Sequence, residues 1–209
     1  MKPPTGRGLS NKGTESLQLV LRQGRLIVLP TDTVYGVGCD PFERGAIEDL
    51  LAVKGRTETK PPPVLGASVE ALLELGSFAS PSREHEVAQI AEAFWPGPLT
   101  LIIPTTRKFG WDTSAVGQTV AVRFPNEPIA RSLLTETGPL AVTSANTTGA
   151  PPAQTVEEAR QYFGDQVALY FDGGPSKGSI PSTILDCSGE WFRIVRQGAI
   201  GWEQISSIL

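Results

Sequence analysis

Leu26-Ile27-Val28-Leu29-Pro30-Thr31-Asp32-Thr33-Val34-Tyr35-Gly36 sets an unbroken apolar run against a turn that carries hydroxyls, a carboxylate and a phenol. An apolar run of this length with no alternation reads as a strand buried on both faces. Ligands of α/β proteins bind where such strands end. Each residue of the turn also has a plainer use: Thr31 or Asp32 can cap it, and Tyr35 either lines a pocket or packs beneath one. Upstream, Leu17, Val20 and Leu21 share one helical face that Gly24 closes. Downstream, Ile47, Leu50, Leu51 and Val53 predict a second helix, whose exit delivers Lys54 and Arg56 before Pro61-Pro62-Pro63 leads into a short strand at Val64-Leu65. Ser68 caps a helix carrying Leu72 and Leu73, and Ser80-Pro81 opens another with Val87, Ile90, Ala91 and Phe94 on its buried face. Strands are expected at Leu101 to Ile103, Val120 to Phe124, Leu140 to Val142, Ala168 to Phe171, Ile184 to Asp186 and Phe192 to Val195, and Thr155 with Glu158 reads as a capping box. Helix and strand signals therefore alternate, the pattern of an α/β domain.

The chain has 209 residues, 40% hydrophobic and 19% charged, enough to bury a sizeable core, and no composition break marks a linker. A formal net charge of -4 argues against a protein built mainly to grip nucleic-acid backbone. Two cysteines, Cys39 and Cys187, are too few for a disulfide framework and read as free thiols. Apolar stretches are strand-sized and the first residues lack the apolar segment of a signal peptide, so a cytoplasmic location with no membrane contact is expected. Residues 1–13, rich in Gly, Pro and basic side chains, read as a disordered arm preceding one domain over 14–209.

The only histidine, His85, lies between Glu84 and Glu86 on an exposed helix face, which excludes Ser-His-Asp and Cys-His catalysis. Gly173-Gly174-Pro175-Ser176-Lys177-Gly178-Ser179 has its lysine before the glycine and is not a Walker loop; Gly36-Val37-Gly38 lacks the third glycine of a dinucleotide fingerprint. What remains at element ends is a set of cations, Lys54, Arg56, Lys60, Arg123 and Arg196, and of hydroxyls and amides, Thr33, Thr100, Thr119, Ser144, Asn146, Ser182 and Thr183. Guanidinium forks, hydroxyls and loop N–H groups together suit a polyanion such as a nucleoside triphosphate.

Beyond the opening stretch, Lys54-Gly55-Arg56, Trp95-Pro96-Gly97-Pro98-Leu99-Thr100, Thr119-Val120-Ala121-Val122-Arg123, Ser144-Ala145-Asn146, Ser182-Thr183-Ile184-Leu185-Asp186 and Arg196-Gln197-Gly198 follow in that order. From about Leu17 to Ala199 the chain resembles the YrdC-like family in its single-domain form, the threonylcarbamoyl-AMP synthases that start threonylcarbamoyladenosine modification of tRNA. The resemblance implies a YrdC/RibB-like fold: a twisted mixed, partly parallel sheet with flanking helices and a concave ligand cleft. It also implies a nucleotidyltransferase that joins L-threonine, bicarbonate and ATP, with Mg2+ accompanying the nucleotide and no metal-ligating residue. By motif match, Lys54 and Arg56 are the catalytic cations, although Lys54 also suits a helix-end lysine with a buried stem. Arg56, Lys60, Thr119, Ser144, Asn146 and Arg196 form the ATP set, Asn146 by fixing the loop of Ser144, and Thr33, Arg123 and Ser182 form the threonine set. Trp95-Pro96 is expected to be a structural corner and Asp186 to turn a strand end. Implied partners are the tRNA threonylcarbamoyl transferase complex, as receiver of the product, and RNA bound weakly. Two alternatives stand beside this reading: a carbamoyl-AMP-forming module, and a double-stranded-RNA- or tRNA-binding factor. Pro61-Pro62-Pro63-Val64-Leu65-Gly66 departs from the family's usual run, which carries a histidine near threonine.

Overall fold

The computed structural model describes residues 11–55, 61–178 and 180–209. Strands β1 (Leu26–Leu29), β2 (Gly36–Cys39), β3 (Val64–Leu65), β4 (Leu99–Pro104), β5 (Thr119–Arg123), β6 (Leu140–Ser144), β7 (Val167–Tyr170), β8 (Thr183–Asp186) and β9 (Arg193–Arg196) form a single sheet. Its order is β7-β1-β2-β6-β3-β5-β4-β8-β9. β1 with β7, β3 with β5 and β4 with β8 run parallel, and the other neighbours run antiparallel, so the sheet is mixed. The helices are α1 (Asn11–Arg22), α2 (Arg44–Lys54), α3 (Val69–Leu73), α4 (Pro81–Phe94), α5 (Pro128–Thr137), α6 (Val156–Phe163) and α7 (Trp202–Ser206). α1 starts at Asn11, within the segment read as an arm, and residues 1–10 lie outside the described residues.

Strand patterning decides which face is covered. In β1 the apolar run is split by the pleat: Leu26 and Val28 pack with α2 and α6, while Ile27 and Leu29 pack with α1 and α5. β4 and β5 alternate instead. Leu99, Leu101, Ile103, Val120 and Val122 enter the apolar cluster under α3, α4 and α7, and Thr100, Ile102, Thr119, Ala121 and Arg123 point to the other face. Val64 of that cluster pairs with Ala141 of the α2/α6 cluster, so both clusters lie on one side of the sheet, bridged by Trp111. On the opposite side α1 and α5 cover only part of the sheet, and the remainder is open. Each fully buried Leu or Val in these clusters stabilises the fold by about 1.5–3 kcal/mol.

Several elements form against or beyond the local signal. Propensity gives no strand to Gly36-Val37-Gly38-Cys39, yet β2 lies buried between β1 and β6. A Cβ on Gly38 would stand 2.7 Å from the Ala141 carbonyl oxygen, so the close approach of β6 demands glycine there. α5 starts with Pro128 at its first turn, and Glu127 accepts from the Ala130 N–H at 2.7 Å. In α6, Thr155 caps Glu158 as the capping box predicts, but the Glu158 carboxylate accepts from Gln154 N–H at 2.7 Å.

Candidate active site

The open part of the sheet floors a cleft of about 980 Å³. Its floor is the alternation just described, Thr100 and Ile102 of β4 beside Thr119, Ala121 and Arg123 of β5, extended by Ile184 of β8 and Val195 of β9. The turn between β1 and β2 forms one wall. Thr31 Oγ1 shapes that turn: it donates to the Val34 carbonyl at 2.6 Å, accepts from Thr33 N–H at 3.2 Å and shares a hydrogen bond with Thr33 Oγ1 at 3.1 Å. Thr31 thus caps the turn and leaves Thr33 at the cleft. Tyr35 is fully buried, although it also borders the cleft. Its hydroxyl donates to Gly174 O at 2.7 Å and accepts from Gly173 N–H at 3.0 Å, and burial pushes its pKa up.

Tyr35 therefore anchors the backbone of the glycine-rich loop, while its glycines answer to a close approach of Gly173 to Pro30 and of Gly178 to the Asp32 carbonyl, and to a φ of 75° at Gly174. The chain between β7 and β8 must pass from one edge of the sheet almost to the other, and residues 173–178 are pinned to the turn on the way. Ser176 Oγ donates to Thr33 O at 2.7 Å, and Ser176 N–H to Gln154 O at 2.7 Å. This crossover ends at Pro181 and Ser182, both lining the cleft.

Two guanidiniums meet at the polar end. Arg123, 7% exposed, donates from Nε to Gly97 O at 3.0 Å, from Nη1 to Thr33 Oγ1 at 3.3 Å and from Nη2 to Asp32 Oδ1 at 2.6 Å. Burial pushes its pKa down, opposed by the Asp32 charge. Arg196 donates from Nε and Nη2 to Ser182 O at 3.1 and 2.8 Å, and from Nη2 to Ser182 Oγ at 3.0 Å. Ser182 Oγ in turn shares a hydrogen bond of 2.9 Å with Thr100 Oγ1. Burial, and then the charge of Arg123, lower the Arg196 pKa. Beneath Arg196, the buried Thr183 hydroxyl accepts from Gly198 N–H and Ile200 N–H at 3.0 Å each, and a Cβ on Gly198 would strike the Ser182–Thr183 backbone. The Arg196-Gln197-Gly198 motif needs its glycine for that contact.

A third corner is built by Lys54, which is 0% exposed. Its Nζ donates to the Ser144 carbonyl, to Ser144 Oγ at 3.4 Å and to Asn146 Oδ1 at 3.1 Å. Asn146 Nδ2 donates to Thr147 O at 2.9 Å and Ala150 O at 2.8 Å, and Thr148 donates to Lys54 O from both N–H and hydroxyl. Of the residues assigned from sequence, Thr33, Thr119, Arg123, Ser144, Ser182 and Arg196 line the cleft. Lys54 and Asn146 lie beneath the loop that presents Ser144. Arg56 and Lys60 lie outside the described residues. Asp32, given only a turn-capping use above, does not line the cleft but pairs with Arg123, 91 residues away in the chain. The Trp95-Pro96 corner is structural: Trp95 is buried and its Nε1–H donates to Leu99 O at 2.7 Å. Asp186 accepts from Ser188 and Arg193, His85 is exposed, and both cysteines are free and buried with thiol pKa values pushed up by burial. Among the described residues no cluster of three or more His, Cys, Asp or Glu is placed to hold a metal ion, and no helix is long and apolar enough to cross a membrane.

Fold and cleft together define a mixed α/β domain with an open cleft whose polar end carries two guanidiniums and whose described lining holds no histidine or cysteine. Residues 19–198 match the model of the Sua5/YciO/YrdC family ("Telomere recombination"), and the chain belongs to that family. A Mycobacterium tuberculosis relative, provisionally named threonylcarbamoyl-AMP synthase, is 40% identical over 202 residues, covering 95% of this chain and 90% of its own. The threonylcarbamoyl-AMP synthase of Vibrio campbellii is 36% identical over 188 residues, covering 90% of this chain and 100% of its own. The crystal structure of P. abyssi Sua5 complexed with L-threonine superposes with a TM-score of 0.85 at 29% identity; the match covers 96% of this chain and 58% of that one.

Proposed function

We propose that the protein is a threonylcarbamoyl-AMP synthase, forming threonylcarbamoyl-AMP and pyrophosphate from L-threonine, bicarbonate and ATP, the first step of threonylcarbamoyladenosine formation on tRNA. The observation that carries this reading is the convergence of Arg123 and Arg196 with Thr33, Thr100 and Ser182 in a cleft suited to anion binding, with no histidine or cysteine among its described lining residues. The reaction asks for that. Threonine amine adds to carbon dioxide derived from bicarbonate, giving a carbamate and releasing a proton to solvent. A carbamate oxygen then attacks the α-phosphorus as the bond to pyrophosphate breaks. The nucleophile is already an anion, so the chain contributes position and charge rather than proton transfer.

In this scheme Arg123, with Thr33 and Ser182, takes the threonine carboxylate. Arg196, Thr119 and Ser144 face the nucleotide together with Arg56 and Lys60, while Lys54 and Asn146 hold the Ser144 loop in place. Mg2+ would come with the nucleotide and would supply charge neutralisation on its phosphates; among the described residues no acidic or His/Cys cluster is placed to hold it, so the phosphates and water would be its ligands. The product passes to the tRNA threonylcarbamoyl transferase complex in the cytoplasm. Pyrophosphate release from ATP, assayed with threonine and bicarbonate together and with each omitted, tests the reading. Release is expected only with both, and full-rate release without bicarbonate would overturn it.

A further inference from the structure

The two guanidiniums of the cleft differ in their company, and that difference bears on which ligand each one selects. Arg196 is held by the neutral oxygens of Ser182. Arg123 carries a carboxylate at 2.6 Å, in an ion pair whose side chains are only 8% and 13% exposed. Three of the five guanidinium N–H groups of Arg123 go to Gly97, Thr33 and Asp32, which leaves two for a ligand. An isolated guanidinium attracts any anion, including the triphosphate that the same cleft must hold. A guanidinium with a carboxylate fixed beside it presents a dipole. Toward that dipole an anion gains from one charge and is repelled by the other, whereas an α-amino acid brings a carboxylate and an ammonium on neighbouring atoms. Burial of the pair keeps both fields from being screened as they would be at the surface.

We propose that Asp32 is a positioning residue that makes the Arg123 end of the cleft read a zwitterion, so that amino acid and nucleotide phosphates sort to different guanidiniums. Asp32 does not itself line the cleft; it acts through Arg123, and its charge reaches the substrate ammonium as a field rather than by contact. It fixes the guanidinium from the turn side while Gly97 O and Thr33 Oγ1 fix it elsewhere. The inference rests on the threonine reading above and adds how threonine is told from a simple anion.

The test compares equilibrium binding of L-threonine, 3-hydroxybutyrate (the same skeleton without the amine) and pyrophosphate to the wild-type protein, Asp32→Asn and Asp32→Glu, by titration calorimetry. Wild type should prefer threonine over 3-hydroxybutyrate by about tenfold or more, and Asp32→Asn should reduce that preference to within about twofold while pyrophosphate binds as well or better. Asp32→Glu, which keeps the charge and serves equally if the Asn protein does not fold, should retain most of the preference. Equal affinity of wild type for the two acids overturns the inference. So does an Asn variant that loses both acids in the same proportion, which is the behaviour of a residue that merely supports the turn, or a Glu variant whose preference collapses. A wild-type protein that binds 3-hydroxybutyrate and pyrophosphate but not threonine would instead sink the threonine reading itself.

Discussion

Lys54 and Arg123 are both buried cations at element ends, and in the sequence they give the same signal, yet they serve opposite ends. Arg123 comes off the last residue of β5 into the cleft and keeps donors free for a ligand. Lys54 closes α2 and, among the described residues, donates its ammonium to Ser144 and Asn146, so that it supports a wall of the site without being one of the residues that line it. A cation in a motif can therefore be conscripted by the fold or left to the ligand. Only the geometry of its acceptors separates the two.

The largest effect that would sharpen this contrast is on stability. Lys54→Ala leaves Asn146 Oδ1 without the ammonium, leaves the Ser144 carbonyl with only the Asn146 N–H, and opens a cavity, and should cost about 3 kcal/mol, read as a fall in denaturant midpoint. An unchanged midpoint would place Lys54 with Arg123 among the ligand cations. Arg123→Ala should instead raise the threonine requirement by the equivalent of about 2 kcal/mol while ATP affinity, measured without threonine, stays nearly constant. Lost ATP binding with threonine recognition intact would exchange the two halves of the map.

The smallest effect concerns Glu127, beside the same turn. Burial raises its carboxyl above the ordinary value of 4.5, opposed by hydrogen bonds from Ala130 and Ile129. A carboxyl whose folded pKa is raised holds its proton more tightly in the folded state. Its contribution to stability is therefore fully present below about pH 4.5 and is lost as pH rises through the raised value. Glu127→Gln, which retains an oxygen to cap α5, should flatten that segment of the stability–pH curve. An identical slope in both proteins would mean that Glu127 is solvated like a surface acid.

Long or well-capped elements were legible in the sequence because their signals are local: the β1 run, Ser80-Pro81 before α4, and the alternation in β5. β2 was not, since its glycines lower strand propensity and only the approach of Val142 and Ala141 explains them. α5 escaped because Glu127 is a weak capping type, although Pro128 with Ile129, Ala130, Leu133 and Leu134 carried a readable helical face. Within the site, the ordered motifs named the cleft residues, but their division into liners and supports depends on side-chain reach. Asp32 and Arg123 become partners only once β1 and β5 are in one sheet.

The crossover from β7 to β8 also has a kinetic side. Because β8 slots in parallel beside β4, with Leu99 opposite Thr183, the sheet cannot be completed until the last quarter of the chain has travelled back across it. Pairings so distant in sequence are slow to form, since a large loop must be closed before any contact rewards it. During synthesis the earlier strands would leave the ribosome with the β4 edge still exposed, and Ser182 and Arg196 would join Arg123 only in the final steps. The cleft is thus a late product of folding, and a chain stalled before β8 would lack not only Ser182 and Arg196 but also Leu185, Ile200 and Ile205 from the core beneath β4 and β5.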